Sequence, residues 1–324
     1  MLIVFGAVAI AVRLTSFAQQ PSRMRRIGVL QQYGANDPEG QRRVAAFLHG
    51  LQEAGWVESQ NFTLEIRYVN GMFDRQPALL AELLQANVDV IITAGTESIQ
   101  AAKRATSTVP IVMATIGDPV ATGIVASLAR PGGNITGLSN FATELTAKRL
   151  ELIASVVPSG ARVAILWNPN NASVVQKFKE SEAAAMAKGV RLESFPVRVP
   201  ADVDHAFRRA QRAGAKAVML ADDILLIGER ARIVELAVRY RFPLISEFSL
   251  FADAGALLSY GPDQFDMWRR AATYADKILK GARPGDLPIE QPIKFELVIN
   301  MKTAKALGIK IPQSILLRAD KVIE

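Results

Sequence analysis

ATIGDPVATGIVASLARPGGNITGLSN, residues 114–140, packs into one short segment the end of an apolar strand, an Asp-Pro step, a helix, a Pro-Gly-Gly-Asn turn and a second strand. Asp118-Pro119 and Pro131-Gly132-Gly133-Asn134 are turn formers, because proline presets φ, glycine tolerates positive φ and Asx side chains bond nearby backbone. Such a segment closes one half of a cleft and carries the chain into the other. The strand at 110–114 ends at the cleft, a helix from Val120 covers it, and 135–140 begins the crossing.

Working outward, Val- and Ile-rich runs alternate with longer amphipathic stretches, the pattern of strands buried on both faces of a parallel sheet. Before the segment, strands are expected at 27–30, 62–68, 88–93 and 110–114, with helices at 39–54, 75–86 and 97–106. After Pro158 the order begins again, with strands at 163–167, 191–197, 217–220 and 243–246 and helices at 173–188, 202–213 and 228–240. Each half ends alike, in Pro131-Gly132-Gly133-Asn134-Ile135-Thr136-Gly137-Leu138 and in Asp253-Ala254-Gly255-Ala256-Leu257-Leu258-Ser259-Tyr260. A helix at 265–279 then returns to the first half, and a last strand at 295–300 makes a third crossing. The fold class is α/β: two Rossmann-like lobes with parallel central sheets, joined by a multi-strand hinge. The lobes are expected at 25–137 plus 262–287 and at 138–261 plus 288–324.

A chain of 324 residues, half of them apolar and 21% charged, suits two well-filled cores. The net charge of +7 comes in small groups such as Arg42-Arg43 and Arg208-Arg209 inside helical patterns, which reads as solvated helix faces. No aromatic interleaving marks a nucleic-acid stripe, so nucleic acid is not expected. The apolar run 2–12 with small residues at Ser16 and Ala18 reads as a secretory signal cleaved near Ala18, although no basic residue precedes it. The mature protein is then expected in the periplasm. With no cysteine, disulfides, thiolate metal sites and attachment through a lipidated cysteine are ruled out, so it is expected to be free rather than lipid-anchored.

Arg26-Ile27-Gly28-Val29-Leu30, Gly117-Asp118-Pro119-Val120, Ser127-Leu128-Ala129-Arg130-Pro131-Gly132-Gly133-Asn134-Ile135-Thr136-Gly137 and Glu296-Leu297-Val298-Ile299-Asn300, the last followed by Lys302-Thr303-Ala304, closely resemble the tryptophan/tyrosine-type solute-binding proteins of ABC transporters. The resemblance runs from about Arg25 to the C-terminus, and Leu128–Asn134 is its most specific part. It implies the type I periplasmic binding fold and a small amino-acid-like or related polar solute as ligand. It also implies a membrane permease, with separate ATPase subunits, as partner of a monomeric receptor.

In open α/β sheets, ligands bind beyond the carboxyl ends of the strands. This selects the loops 31–36, 94–98 and 115–119 of the first half and 168–173, 221–224 and 247–250 of the second. Gln31 and Tyr33 follow the first strand. In Ala94-Gly95-Thr96-Glu97-Ser98, glycine permits a tight turn and Thr96 is expected as N-cap, so Thr96, Glu97 and Ser98 place helix N–H groups toward a carboxylate. Asp118 pairs with a ligand ammonium or caps the helix at Pro119. Of Asp222 and Asp223, one serves the ligand and the other caps; Asp222 is taken for the ligand. Tyr33, Phe248 and Tyr260 are aromatics for sandwiching a flat side chain, and Asn140 and Asn168 are amides for a polar ligand.

Catalysis has no support. His49 and His205 lie in helix patterns and are not spaced to hold a metal. No Gly-x-Gly-x-x-Gly or Gly-x-x-x-x-Gly-Lys-Ser/Thr signature is present for a nucleotide cofactor. No catalytic residue, metal or cofactor is therefore expected. The same fold serves regulators, but no helix-turn-helix precedes the first strand. A sensor acting through a separate membrane partner is the alternative to an importer component.

Overall fold

The computed structural model describes residues 23–140 and 143–324; the expected signal segment 1–18 lies outside them. In the first half, β1 (Arg25–Gln31), α1 (Pro38–Glu53), β2 (Phe62–Tyr68), α2 (Gln76–Gln85), β3 (Val90–Ala94), α3 (Thr96–Ala105), β4 (Ile111–Thr115) and β5 (Ile135–Gly137) follow one another. Their five strands form a parallel sheet of order β2-β1-β3-β4-β5. The second half holds α4 (Thr143–Ala154), β6 (Arg162–Trp167), α5 (Ala172–Lys188), β7 (Arg191–Pro196), α6 (Asp202–Arg212) and β8 (Ala217–Ala221). It continues with α7 (Ile224–Gly228), α8 (Arg230–Arg239), β9 (Leu244–Ser246), α9 (Ser249–Asp253) and β10 (Leu258–Pro262).

Next, α10 (Gln264–Leu279) goes back to the first sheet, and β11 (Phe295–Asn300), α11 (Met301–Leu307), α12 (Gln313–Leu316) and β12 (Lys321–Ile323) return to the second. The second sheet has the order β12-β11-β10-β9-β8-β6-β7, with β11 antiparallel to β10. The chain thus crosses between the sheets three times, after β5, after β10 and before β11. The expected helix from Val120 is not formed. Asp118 Oδ1 accepts from Val120 and Ala121 N–H at 2.9 Å each, and residues 119–123 stay in consecutive turns. Nor is 295–300 the last strand, since β12 pairs with it.

Side chains of the central strands alternate between the two faces of each sheet. Val112 and Ala114 of β4 pack with Ile27, Val29, Phe47 and Trp268 on one face, and Ile111 and Met113 pack with Leu80, Leu83 and Ile99 on the other. In β8, Val218 and Leu220 join Phe207 and Phe251, whereas Ala217 and Met219 join Leu150 and Ile299. Burying each large apolar side chain contributes roughly 1.5–3 kcal/mol, so α10 is anchored to the first sheet by Trp268, Tyr274 and Ile278 although 123 residues of chain lie between Gly137 and Gly261. Strand order reverses between β1 and β3 in one sheet and between β6 and β8 in the other. A doubly wound sheet opens its binding crevice at that reversal, so both crevices meet between the halves.

Candidate binding cleft

Two neighbouring cavities lie between the halves. The inner, about 70 Å³, is lined by Arg43, Gly95, Thr96 and Thr115 of the first half, Asn140 of the first crossing, and Lys177, Asp222, Asp223 and Phe248 of the second, among others. The outer, about 590 Å³, is lined by Tyr33, Phe73, Asn168, Pro200, Leu225 and Arg230 among others. Gln32, Glu97, Ile224 and Ile227 line both.

The halves are closed onto each other. Asn171 Nδ2 donates to Glu97 Oε1 at 3.1 Å, Asp118 N donates to Ser173 Oγ at 3.2 Å, and Arg230 Nη2 pairs with Asp37 Oδ2 at 3.3 Å. The Tyr33 side chain reaches across into the apolar core of the second half, where Phe248 and Leu226 lie. Gly117 makes one of these approaches possible, since a methyl group built on it would overlap Ser173 Oγ. Gly117→Ala is expected to leave unfolding of the protein little changed but to weaken ligand affinity about tenfold or more, because overlap at this position opposes only the closed state; a binding titration beside a urea melt checks it.

Helix α3 enters the inner cavity with its N-terminus. Gly95, at φ +77°, is its N-cap and Thr96 the first helical residue, which corrects the expectation of Thr96 as the cap. An α-helix leaves its first N–H groups without intrahelical partners, and they attract anions. Glu97 beside them is pushed up by burial, with the negative charge of Asp223 adding to the shift and its own backbone N–H opposing it.

Opposite, the two aspartates after β8 divide their work. Asp223 caps α7, accepting from Leu226 N at 3.1 Å, and takes Asn168 Nδ2 at 2.7 Å. Asp222 Oδ2 accepts from Ser246 Oγ at 2.7 Å and from Glu247 N, while its Oδ1 is buried without a partner. Burial first and the charge of Glu247 second push its carboxyl up to about 6.

Behind it, Glu247 gathers a buried network. Its Oε2 takes Lys177 Nζ at 2.7 Å and lies 3.9 Å from Arg149 Nη2, and its Oε1 accepts from Asn140 Nδ2 at 3.0 Å. Arg149 Nη1 also donates to Tyr260 O in β10 at 3.2 Å.

Of the residues singled out by sequence, Tyr33, Thr96, Glu97, Asn140, Asn168, Asp222 and Phe248 line the cavities. Four do not. Gln31 turns back on its own loop, donating to Gly40 O at 3.3 Å and accepting from Gln32 N. Ser98 is held inside by Gln76 Nε2 at 2.6 Å. Asp118 is spent on its turn, and Tyr260, half-buried, packs against the core of the second half and pairs with Leu297 of β11. Sequence reading selected the loops that hold Gln32 and Thr115 without singling out either residue, and passed over Lys177 and Gln264. Arg43, read as part of a solvated face, is only 3% exposed. Its register in α1, four residues before Phe47 and one before Val44, was the available signal.

Among the described residues, nine buried side-chain polar atoms lack a hydrogen-bond partner. Six of them, Tyr33 OH, Arg43 Nη2, Thr115 Oγ1, Asn140 Oδ1, Asp222 Oδ1 and Gln264 Oε1, belong to residues lining the two cavities. Buried polar atoms are nearly always paired, and two thirds of the exceptions among the described residues gather at these two cavities.

The family model described as ABC transporter substrate binding protein matches residues 34–323. The chain is 24% identical over 289 residues to the tyrosine-binding protein of Clostridioides difficile (strain R20291), covering 89% of this chain and 82% of that protein. Among solved structures it is similar to an ABC domain from Streptococcus pneumonia in complex with L-Trp, with 26% identity, a TM-score of 0.85, and coverage of 93% of this chain and 100% of that one. A conserved domain protein from Vibrio cholerae matches at 26% identity and TM-score 0.86 with the same coverage.

Proposed function

Because this chain belongs to the ABC transporter substrate-binding protein family and has the type I periplasmic binding fold, we propose that it captures an amino acid between its two lobes. Closing about the hinge, it presents the liganded form to a membrane permease driven by separate ATPase subunits. It acts as a monomer outside the cytoplasm and catalyses no reaction. The observation that carries this reading is the set of unpartnered buried polar atoms around the cavities. It combines a carboxylate acceptor, Asp222, with donors at Arg43 and Thr115, as a zwitterion requires. The outer cavity, with Tyr33, Phe73, Pro200, Leu225 and Ile227, suits an aromatic or branched side chain, and the two relatives named for tyrosine and bound to L-Trp point the same way. Contacts from both lobes are what allow a ligand to favour closure, since only differential affinity shifts a conformational equilibrium.

The test is a thermal-shift screen of the purified protein against amino acids, sugars, nucleosides and aromatic acids. A ligand of the native state raises the midpoint once its concentration exceeds Kd. A saturable shift with L-tryptophan, L-tyrosine or a branched amino acid is expected; a shift confined to sugars or nucleosides would overturn the amino-acid reading.

Affinity should depend on pH with a definite sign. Asp222 must be ionised to hold an ammonium, and in the empty protein its carboxyl titrates near 6. Binding is therefore expected to tighten as pH rises through about 6 and to release a proton below it, which calorimetry in buffers of different ionisation enthalpy measures directly. A pH-independent affinity between 5 and 7.5 would remove Asp222 from contact with the charge.

A further inference from the structure

We infer that Arg43 is the receptor for the ligand carboxylate, so that the closed state demands both charges of an amino acid, the carboxylate on the first lobe and the ammonium on the second. The inference rests on the amino-acid reading above and specifies how the site discriminates.

The guanidinium of Arg43 is buried and held in place. Its Nε donates to Glu39 Oε1 at 2.9 Å one turn earlier in α1, and its Cζ stands 5.0 Å from the centre of the Tyr33 ring. That ring is itself fixed: Gln31 Oε1 accepts from the backbone N–H groups of Gln32 and Tyr33, and Gly40 lets the ring base lie against α1. Stacking on an aromatic face and a planar fork of donors are what distinguish arginine as a carboxylate receptor. With Nε used, Nη2 has no partner among the described residues, and an unsatisfied donor on a buried cation is costly.

What would satisfy it follows from its neighbours on the inner cavity. Thr115 Oγ1, also unpartnered, and the N-terminal residues Gly95 and Thr96 of α3 line the same space. All of these are donors or positive ends, and all sit on the first lobe. The free carboxylate oxygen of Asp222 lines the cavity from the second lobe. Glu97 of the first lobe and Lys177 of the second also line this cavity, but each is engaged, Glu97 by Asn171 and Lys177 by Glu247. The unpaired donors on one side and the unpaired acid on the other therefore give the site a polarity that a zwitterion matches and that a simple amine or an ester meets on one side only. A ligand lacking the carboxylate leaves Arg43 unpaired, and such omissions discriminate strongly because buried polar groups are stranded.

The experiment titrates the wild-type protein, Arg43→Gln and Arg43→Lys with L-tryptophan, L-tryptophan methyl ester and tryptamine, with L-tyrosine and tyramine as a second series, and follows urea unfolding of each protein. Wild type is expected to bind L-tryptophan about a hundredfold or more tighter than tryptamine or the ester. Arg43→Gln should lose roughly 30- to 100-fold in affinity for the amino acid and stay within about threefold for tryptamine. Arg43→Lys, which keeps the charge without the fork, should recover part of the loss.

Parallel loss of the amino acid and the amine in Arg43→Gln, or no loss of either, would overturn the inference and make Arg43 a packing residue of α1. Should Arg43→Gln not fold, the same comparison in Arg43→Lys decides. Wild type binding L-tryptophan and tryptamine equally would refute the inference and leave the amino-acid reading standing. Binding of neither L-tryptophan nor L-tyrosine, nor of any branched amino acid carried through the same comparison with its amine, would overturn that reading and the inference with it.

Discussion

Asp222→Asn is expected to weaken amino-acid binding by about 2–5 kcal/mol, the range for removing one member of a buried, hydrogen-bonded charge pair, while leaving the empty protein at least as stable as wild type at neutral pH. The two halves of this result have one cause. Burial and the nearby Glu247 raise the Asp222 carboxyl from 3.8 to about 6. At 1.36 kcal/mol per unit, keeping it ionised in the empty fold costs on the order of 3 kcal/mol. Asparagine keeps an oxygen for Ser246 and for Glu247 N–H and removes that cost.

The sign follows from proton counting. Between about 3.8 and 6 the folded empty protein binds a proton that the unfolded chain does not, so the Asp222 contribution to stability falls as pH rises across that window. Above it the full penalty is present, and ligand ammonium offsets it. Calorimetric titration and urea unfolding of both proteins at pH 5 and pH 7.5 check this. Undiminished binding by Asp222→Asn would show that the ammonium sits elsewhere.

Glu247→Ala should destabilise the protein by about 3–5 kcal/mol, the cost of deleting one side of a buried ion pair and stranding the other. Glu247 is 2% exposed, and its removal leaves Lys177 and Arg149, both nearly buried, without their acid. The same side chain ties the first crossing, through Asn140, to the second half, and Arg149 ties it in turn to β10 where the second crossing starts. A loss of binding beyond that of stability is therefore expected, since the hinge geometry is set by the same atoms. Glu247→Gln, which keeps the Asn140 contact, should lose about half as much. A urea midpoint for Glu247→Ala equal to wild type would show that water or a shifted side chain replaces the acid.

How far these features were legible in sequence depended on whether short-range pattern or long-range contact decided them. Strand β2 was read with its observed bounds because, at the sheet edge, Leu64 and Ile66 alternate with Glu65 and Arg67. The buried runs of β3, β4 and β8 were equally plain. The expected helix at 228–240 is α8, at 230–239, and the short α7 before it, capped by Asp223, was not foreseen. The expected helix after Asp118 gave way to turns, whose backbone bonds run to Pro119 and Asp118 carbonyls. Helix α4, directly after the first crossing, was not foreseen.

In the cleft, residues at strand ends were legible by topology alone, and most of those line the cavities. Arg43 and Lys177 were not, and Glu247 lay in a selected loop without its ionic role being visible, because a charged residue in a helix or loop looks solvated until its partner, 70 residues away for Lys177 and Glu247, is brought beside it. Ser98 and Gln31 show the converse. Both stand where the topological rule puts ligand contacts, yet their hydrogen bonds turn inward.

The measurement that bears most directly on capture between the lobes is calorimetric titration of the purified protein with L-tryptophan and L-tyrosine at pH 7.5. One site per chain is expected, with a negative heat-capacity change from closing the apolar outer cavity on the side chain. Absence of saturable heat with either amino acid up to millimolar concentration, in a protein that unfolds cooperatively, would contradict the account.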